Sequence, residues 1–415
     1  MPAHRLLRCI LAAALATSVV CGREPELHER GGLPNLASRT RGEFRVAYLG
    51  GSITAAGDGW RSLTTVLLDR RFPGLTIQEI AAGLPGTGSN LGACRLSRDV
   101  LRHRPDLLFV EFAVNDSNAL PEQIEQTMEG IVRQTWHANP YTDIWFVYTV
   151  STPGLADLQA GNFPAAAQAM ERIAAHYDIP SLHFGIEVAR LIAARELVFK
   201  APEAPTNMRT FSIDGVHPTA AGHRVYLAAI ERALPVLLQT SKTAPHALPP
   251  PLHVDNWEGA GMRQLDEVNR HGKWLPVPLD DANLRGATKH LLPPLWRTST
   301  PGDSIEFEFT GGIFGLLGIA APDSGSFRVK VDDLPLLEAT FFDGFVSPTF
   351  CRAREWFYPG RLPPGRHHVR VEFIEAAPDK LAIKAKAGRP VTEQAPYAQN
   401  RLTLGGVLVV ASPEQ

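Results

Sequence analysis

Residues 46–60 have the sequence VAYLGGSITAAGDGW. In this stretch a short apolar run is followed by two glycines, a serine and, one residue later, a threonine. The run at residues 46–49 predicts a buried strand, because largely apolar residues are bounded there by glycine. Gly50 and Gly51 would suit a simple turn. A serine on a tight turn at the carboxyl end of a strand is also how an α/β hydrolase exposes its nucleophile. Ser52 is therefore a candidate catalytic residue.

The surrounding sequence, from about residue 43 to residue 238, alternates short apolar runs with helical patterns. We predict strands at FRVAYL, LTIQEIA, DLLFVEFAV, DIWFVYTV and IPSLHF, and helices over residues 61–72, 90–103, 121–138 and 163–176. Strands that are apolar almost throughout and that alternate with helices favour a parallel sheet covered on both faces. We therefore expect a three-layer α/β/α domain over residues 43–240.

The pattern of apolar and polar residues changes after residues 241–252, SKTAPHALPPPL. The prolines of this stretch predict a stiff linker. Beyond the linker, short alternating runs such as SIEFEF and HHVRVEF are separated by Gly, Pro and Asp. This pattern predicts an antiparallel β-sandwich of jelly-roll type over residues 253–412. We expect an independent binding module. The alternative is a sandwich that packs on the first domain and shapes its pocket.

The chain length and the net charge limit the classes of function that the protein can have. The chain has 415 residues, which is more than one hydrophobic core usually spans, and a formal net charge of −2. Such a balance gives no broad basic surface, so binding to nucleic acid or to anionic membranes is poorly supported. No segment after the amino-terminal run is apolar over the length needed for a membrane span.

The amino terminus has the pattern of a secretory signal peptide. Two arginines precede the short apolar run CILAAALATSVVCG, and a polar stretch follows it. We predict a signal peptide over residues 1–22 with cleavage after Gly22, and export to the periplasm or the medium. A lipid anchor at Cys21 is less well supported, because Val20 is bulky for the residue before a lipidated cysteine.

Two cysteines, Cys94 and Cys351, lie beyond the predicted leader. An oxidising compartment would allow them to pair, but we expect two small buried hydrophobic residues. Neither has neighbours with the spacing of metal ligands or of a C-x-x-C redox pair.

The isolated histidines do not predict a metal site. We expect His223 on the surface and His183 as a satisfied core residue. His367 and His368 are adjacent, so on a strand they point to opposite faces and cannot chelate one ion together. We predict neither a metal nor another cofactor.

Three further stretches hold the groups that a serine hydrolase needs. AAGLPGTGSN contains Gly83, Gly86 and Gly88, and glycine lets a backbone N–H approach an oxyanion closely. EFAVNDSN contains Asn115, whose side chain can donate to the same charge. SIDGVHPTAAG places Asp214 three residues before His217. Serine needs a base to accept its proton, and the base needs a carboxylate to orient it and to stabilise its charged form.

Taken together and in order, the blocks GGSIT, GLPGTGS, VNDS and DGVHP resemble the SGNH branch of the GDSL esterase/lipase family, over about residues 43–238. The resemblance implies that Ser52 is the nucleophile, His217 the general base and then acid, and Asp214 the orienting carboxylate. It also implies an oxyanion hole formed by the backbone N–H groups of Ser52 and Gly86 and by the side chain of Asn115.

This sequence departs from the family pattern at two blocks. The serine block reads GGSI rather than GDSL, and Ala113 stands where the asparagine block usually has glycine. Within the glycine block, Gly88 competes with Gly86 for the oxyanion role.

The substrate follows only from the resemblance. Exported proteins with a GGSI-type hydrolase and a β-sandwich resemble carbohydrate acetylesterases, so we expect a small acyl group, O-acetyl, on a carbohydrate. The alternatives are a lipase or thioesterase for longer acyl chains, or a carbohydrate-binding protein with an inactive hydrolase half. Several aromatic residues of the second half could stack on sugar rings, but we expect most of them to fill the core: Trp257, Trp274, Trp296, Trp356 and Tyr358.

Overall fold

The computed structural model describes residues 24–202, 208–239 and 242–411. The predicted signal peptide, residues 1–22, lies outside them. Among the described residues, none of the helices has both the length and the apolar character needed to span a bilayer.

The first half of the chain is built on a six-stranded sheet in the order β1-β6-β5-β4-β2-β3. Its strands are β1 (Leu27–His28), β2 (Gly42–Gly50), β3 (Leu75–Gly83), β4 (Leu107–Glu111), β5 (Asp143–Tyr148) and β6 (Ser181–His183). All pairings are parallel except that of β1 with β6. The chain runs from β2 outward to β3 and then back to β4 on the other side of β2. A switch of direction of this kind opens a crevice at the carboxyl ends of neighbouring strands.

Helices cover both faces of this sheet. They are α1 (Pro34–Ala37), α2 (Ser52–Ala55), α3 (Trp60–Arg71), α4 (Ser89–Asp99), α5 (Pro121–Ala138), α6 (Thr152–Ala160), α7 (Ala165–His176), α8 (Phe184–Ala193) and α9 (Ala220–Leu237). Helices α4, α5 and α7 pack together, as do α3, α8 and α9. A short parallel pair, β7 (Leu197–Lys200) and β8 (Arg209–Ser212), leads into α9. The prediction of a three-layer α/β/α fold is confirmed.

Several element boundaries differ from the sequence prediction, among them the ends of β4 and β6. The strand predicted to run from residue 106 to residue 114 ends at Glu111, and the next residues form a turn. The strand predicted over IPSLHF ends at His183, and Phe184 begins α8. Apolar residues continue past both strand ends because those residues are still buried, so hydrophobicity alone does not mark where the strand stops.

The second half is an antiparallel, curled sheet of ten strands, as predicted in outline. Its elements are β9 (Ala260–Gln264), β10 (Asn269–His271), β11 (Leu275–Val277), β12 (Leu295–Thr298), β13 (Ser304–Ala320), β14 (Ser326–Val331), β15 (Leu337–Thr340), β16 (Arg352–Phe357), β17 (Arg366–Phe373), α10 (Lys380–Lys386) and β18 (Leu402–Ala411). Strand β13 pairs with β17 up to Thr310 and with β18 from Gly311 onward, and the register shifts there. Phe307 and Phe314, from the two parts of β13, meet edge to face with ring centroids 5.9 Å apart. Strand β13 therefore bends the sheet, so that side chains from its two parts pack against each other in one hydrophobic core.

The two halves share one hydrophobic cluster. Buried residues of the second half, among them Trp257, Leu317, Leu408 and Val410, pack into the same cluster as α4 and α5. Trp257 lies so close to α5 that a Cβ added to Gly130 would be 2.4 Å from the Trp257 carbonyl carbon. The second domain is therefore packed on the first, which is the alternative to an independent module.

The predicted linker also follows the surface of the first domain. The His246 ring stacks on Trp136 with centroids 4.9 Å apart, and its Nε2 lies 2.9 Å from an Asp143 carboxylate oxygen. Arg133 donates a hydrogen bond to the carbonyl oxygen of Pro249 at 3.0 Å. These contacts hold the described part of the linker, from residue 242 onward, against the first domain.

Cys94 and Cys351 are both buried and unpaired, as expected. Burial raises the pKa of the Cys94 thiol far above its usual range and that of Cys351 to about 11. Both therefore stay as neutral thiols, which are poor nucleophiles.

The shared cluster predicts the effect of Gly130→Ala. Alanine in place of a helical glycine normally stabilises a helix by about 1 kcal/mol. Here the added methyl group would press on the Trp257 backbone, so we expect a net loss of about 1–3 kcal/mol in the free energy of unfolding. Gly261→Ala is the matched control, because a Cβ there meets nothing within 4 Å. Urea denaturation of both variants tests this contact, and a more stable Gly130→Ala protein would contradict it.

Candidate active site

Ser52 begins the short helix α2, directly after the turn at the end of β2. Gly51 lies in this turn, and a Cβ added to it would be 1.9 Å from the Asn115 Oδ1 atom. No side chain other than hydrogen fits there. The turn therefore presents Ser52 at the carboxyl edge of the sheet, beside the end of β4.

His217 lies between Ser52 and Asp214. Its Nε2 is 2.9 Å from the Ser52 Oγ, and its Nδ1 is 2.7 Å from the Asp214 Oδ2. Both distances are those of hydrogen bonds. Two consecutive hydrogen bonds thus connect the three residues predicted from the sequence, although 165 positions separate Ser52 from His217.

The loop after β8 holds the histidine and the aspartate in place. The Asp214 Oδ1 accepts hydrogen bonds from the backbone N–H groups of Val216 and His217, both at 2.8 Å, and from the Ser212 hydroxyl at 3.0 Å. Partial burial alone would raise the pKa of Asp214. The hydrogen bonds from the His217 ring and from the two backbone groups outweigh burial and hold this pKa well below its usual range. Asp214 is therefore a carboxylate at neutral pH.

The predicted oxyanion groups lie on the loops after β3 and β4. Gly86 is exposed and has φ +72°, a conformation that favours glycine. Its loop is tied to the nucleophile turn by a hydrogen bond of 2.9 Å from the Leu84 N–H to the Gly50 carbonyl oxygen. The Asn115 amide lies against Gly51, next to Ser52.

Gly88 has a different environment from Gly86. It precedes α4, and a Cβ added to it would be 2.3 Å from the Asp116 Oδ1. That carboxylate oxygen accepts a hydrogen bond of 3.0 Å from the Ser89 N–H at the start of the helix. Burial raises the pKa of Asp116 to about 7. Close packing between Gly88 and the helix start thus accounts for this glycine.

Glu111, at the end of β4, supports the nucleophile turn and was not singled out from the sequence. Its fully buried carboxyl group accepts hydrogen bonds from the hydroxyls of Thr54 at 2.8 Å and Thr149 at 2.6 Å, and from the Gly51 N–H. Burial raises its pKa. A glutamate at the end of a strand otherwise free of charge was the available signal, since charged residues are rarely fully buried without partners.

Two further histidines, His223 and His183, lie away from Ser52 and His217. His223 was expected on the surface, which is wrong: it is 5% exposed, because α9 packs its first turn against α3. Its Nδ1 accepts the Trp60 N–H at 3.1 Å, and burial lowers its pKa to about 4. His183 lies in the core as expected, with a 3.1 Å hydrogen bond from the Gly185 N–H to its Nδ1. Its buried Nε2 has no hydrogen-bond partner among the described residues, so the expectation of a satisfied histidine is wrong at that atom.

The aromatic residues of the second half mostly serve the core, as expected. Trp257 and Trp274 are buried. Trp296 is half-buried, with the Arg270 guanidinium 3.9 Å from its ring centroid. Trp356 and Tyr358 are half-buried against the second hydrophobic cluster.

Residues 48–225 match the model of the GDSL-like Lipase/Acylhydrolase family. The protein is accordingly a carboxylic ester hydrolase. None of the curated proteins matches the sequence.

Similarity to solved structures extends over both halves. The chain is similar to a two-domain esterase (CEX) active on acetylated mannans, crystallised with mannopentaose, at 20% identity and a TM-score of 0.70. The match covers 94% of this chain and 98% of that one. A second structure of a two-domain esterase (CEX) gives a TM-score of 0.68 at 20% identity, covering 92% and 94%. At this identity the similarity concerns the fold, which includes the second domain.

The network around Glu111 predicts a loss of stability on replacement. Glu111→Leu would leave the hydroxyls of Thr54 and Thr149 and the Gly51 N–H without their acceptor, and an unpaired buried group costs about 1–3 kcal/mol. We expect a fall of at least that size in the free energy of unfolding measured in urea. Glu231→Leu, at an exposed position of α9, is the control and should change stability by less than about 0.5 kcal/mol. Equal effects of the two substitutions would contradict this role.

Proposed function

We propose that the protein is an exported serine esterase that removes small acyl groups, O-acetyl, from a carbohydrate through an acyl-enzyme intermediate. The observation that carries the proposal is the pair of hydrogen-bond distances that join Ser52 to His217 and His217 to Asp214. A binding protein would need no such arrangement of a hydroxyl, an imidazole and a carboxylate.

In the first half-reaction, the Ser52 Oγ attacks the ester carbonyl carbon while its proton passes to the His217 Nε2. Asp214 accepts the Nδ1–H hydrogen bond, which fixes the tautomer of the ring and stabilises the imidazolium. The tetrahedral intermediate then collapses. Its bond to the sugar oxygen breaks, and His217 gives its proton to that oxygen, so the carbohydrate leaves as an alcohol.

In the second half-reaction, His217 takes a proton from water, whose oxygen attacks the acyl-enzyme. Collapse of this second intermediate returns the proton to Ser52 and releases the carboxylic acid. In both intermediates the negative oxygen would be stabilised by the N–H groups of Ser52 and Gly86 and by the Asn115 amide. Donors fixed in advance cost no reorganisation when the charge develops.

One feature supports a large substrate. The side chains of His217 and Asp214 are 53% and 55% exposed, so a polymer chain can reach the site.

The two-domain relative described as active on acetylated mannans supports the same substrate class. The rest of the proposal rests on sequence patterns. We propose that residues 1–22 direct export to the periplasm or the medium, that residues 43–240 form the hydrolase and that residues 253–412 form the accessory domain.

Replacing the triad tests the mechanism. We expect Ser52→Ala and His217→Ala each to lower kcat for p-nitrophenyl acetate on the order of a millionfold, with little further loss in the double variant, because the groups act as one unit. Thermal unfolding should remain cooperative in all three variants. Additive losses, or wild-type turnover in either single variant, would contradict the triad.

Asn115→Ala should have a smaller effect. It removes one proposed oxyanion donor and leaves the nucleophile, so we expect kcat to fall roughly a hundred- to a thousandfold. A change confined to KM would instead indicate a role in substrate binding.

The acyl preference separates the esterase from a lipase or thioesterase. Because we propose an O-acetyl esterase, steady-state kinetics on p-nitrophenyl acetate, butyrate and octanoate should give the highest kcat/KM for acetate. Release of acetate from acetylated mannan, xylan and pectin would then identify the carbohydrate. A preference for octanoate would move the protein to the lipase class, and no acetate release from any ester would favour a binding protein.

A further inference from the structure

One side chain of the second domain reaches the loop that carries Gly86. Arg352 is the first residue of β16, and its Nη1 donates a hydrogen bond of 3.1 Å to the Gly86 carbonyl oxygen. The two groups are so close that a Cβ added to Gly86 would be 2.1 Å from this nitrogen. The guanidinium thus occupies the space beside the glycine.

The guanidinium is itself held firmly. The Asp343 Oδ2 accepts hydrogen bonds from the Arg352 Nε at 2.9 Å and from its Nη2 at 2.6 Å. Asp343 is 8% exposed, and its other oxygen accepts the backbone N–H groups of Phe345 and Val346. The Phe345 ring lies 5.5 Å from the guanidinium carbon. A planar group fixed on one side by a carboxylate can present its remaining N–H in a constant direction.

Gly86 needs such support if it is to stabilise an oxyanion. Glycine has more conformational freedom than any other residue, and Gly86 is exposed with φ +72°. A displacement of about 1 Å at a catalytic group can cost a hundredfold in rate. Fixing the Gly86 carbonyl oxygen limits the rotations of the residue whose N–H would point into the oxyanion hole.

We propose that Arg352 is a positioning residue for the oxyanion hole, so that the second domain contributes to catalysis through the Gly86 backbone without touching the reacting atoms. This inference rests on the proposed function, in which the Gly86 N–H stabilises the oxyanion. It also gives the packing of the two domains a role in turnover, separate from any binding of carbohydrate.

The test compares Arg352→Met, which keeps the length of the side chain and removes its donors, with Arg352→Lys, which keeps a charge and a donor. On p-nitrophenyl acetate we expect Arg352→Met to lower kcat on the order of ten- to a hundredfold, with KM nearly unchanged, and Arg352→Lys to restore part of the loss. Asp343→Asn should give an intermediate loss, because it loosens the guanidinium. Arg328→Met is the control, since Arg328 pairs with Glu338 and Glu372 within the second domain.

A second measurement separates positioning from a general loosening of the fold. A small alkylboronic acid forms a tetrahedral adduct with a reactive serine and mimics the transition state. Its inhibition constant should rise in Arg352→Met by about the same factor as kcat falls, while the thermal midpoint stays within a few degrees of the parent protein. An unchanged kcat in Arg352→Met would overturn the inference while leaving the function intact.

Failure of the proposed function would look different, because Ser52→Ala would then keep the parent activity. If Arg352→Met did not fold, Arg352→Lys and Asp343→Asn would carry the same comparison. Parent values of kcat and of the boronic acid inhibition constant in these two variants would overturn the inference.

Discussion

The close approach of the Gly51 backbone to the Asn115 side chain is the constraint on which the candidate active site depends. It requires β2 and β4 to lie side by side with their carboxyl ends level, and the parallel register of Gly50 with Glu111 meets this requirement. It also requires a residue without a side chain after Gly50, where the chain turns into α2. Strands β3 and β4 lie on opposite sides of β2. The loops that follow them can therefore approach Ser52 from two sides. Ser52 and the proposed oxyanion groups are thus arranged by the strand order of the sheet.

The parts of this structure that could be predicted from sequence are those fixed by local chemistry. Helix α5 has the predicted bounds, because its apolar residues recur at helical spacing and Pro121 marks its start. The strands of the parallel sheet were recognisable as apolar runs. Each of the four short blocks at the site combines glycine or a loop-forming residue with a reactive group, which is a rare combination by chance. Their roles were assigned through a family resemblance, and their meeting in space follows from the sheet order.

The features that could not be predicted depend on contacts between distant parts of the chain. Arg352 is one of many arginines in the sequence, and only the packing of β16 beside the loop after β3 makes its contact with Gly86 visible. His223 has the neighbours of a surface residue, yet the helix that carries it packs against α3. Apolar residues of β9 and β18 indicate burial, but they do not indicate which partner covers them. Hydrophobic periodicity and composition indicate that a side chain is buried, but they do not indicate which residues it packs against.

The position of β18 has a consequence for the order in which the protein can fold. Leu408 and Val410, near the last described residue, belong to the cluster that covers α4 and α5 of the first domain. Those helices are therefore left with uncovered apolar surface until β18 has been synthesised. A growing chain with such a surface is prone to aggregate or to bind a chaperone. Ile131 of α5 and Leu408 of β18 belong to the same cluster, so we expect the first domain to complete its packing only together with the second.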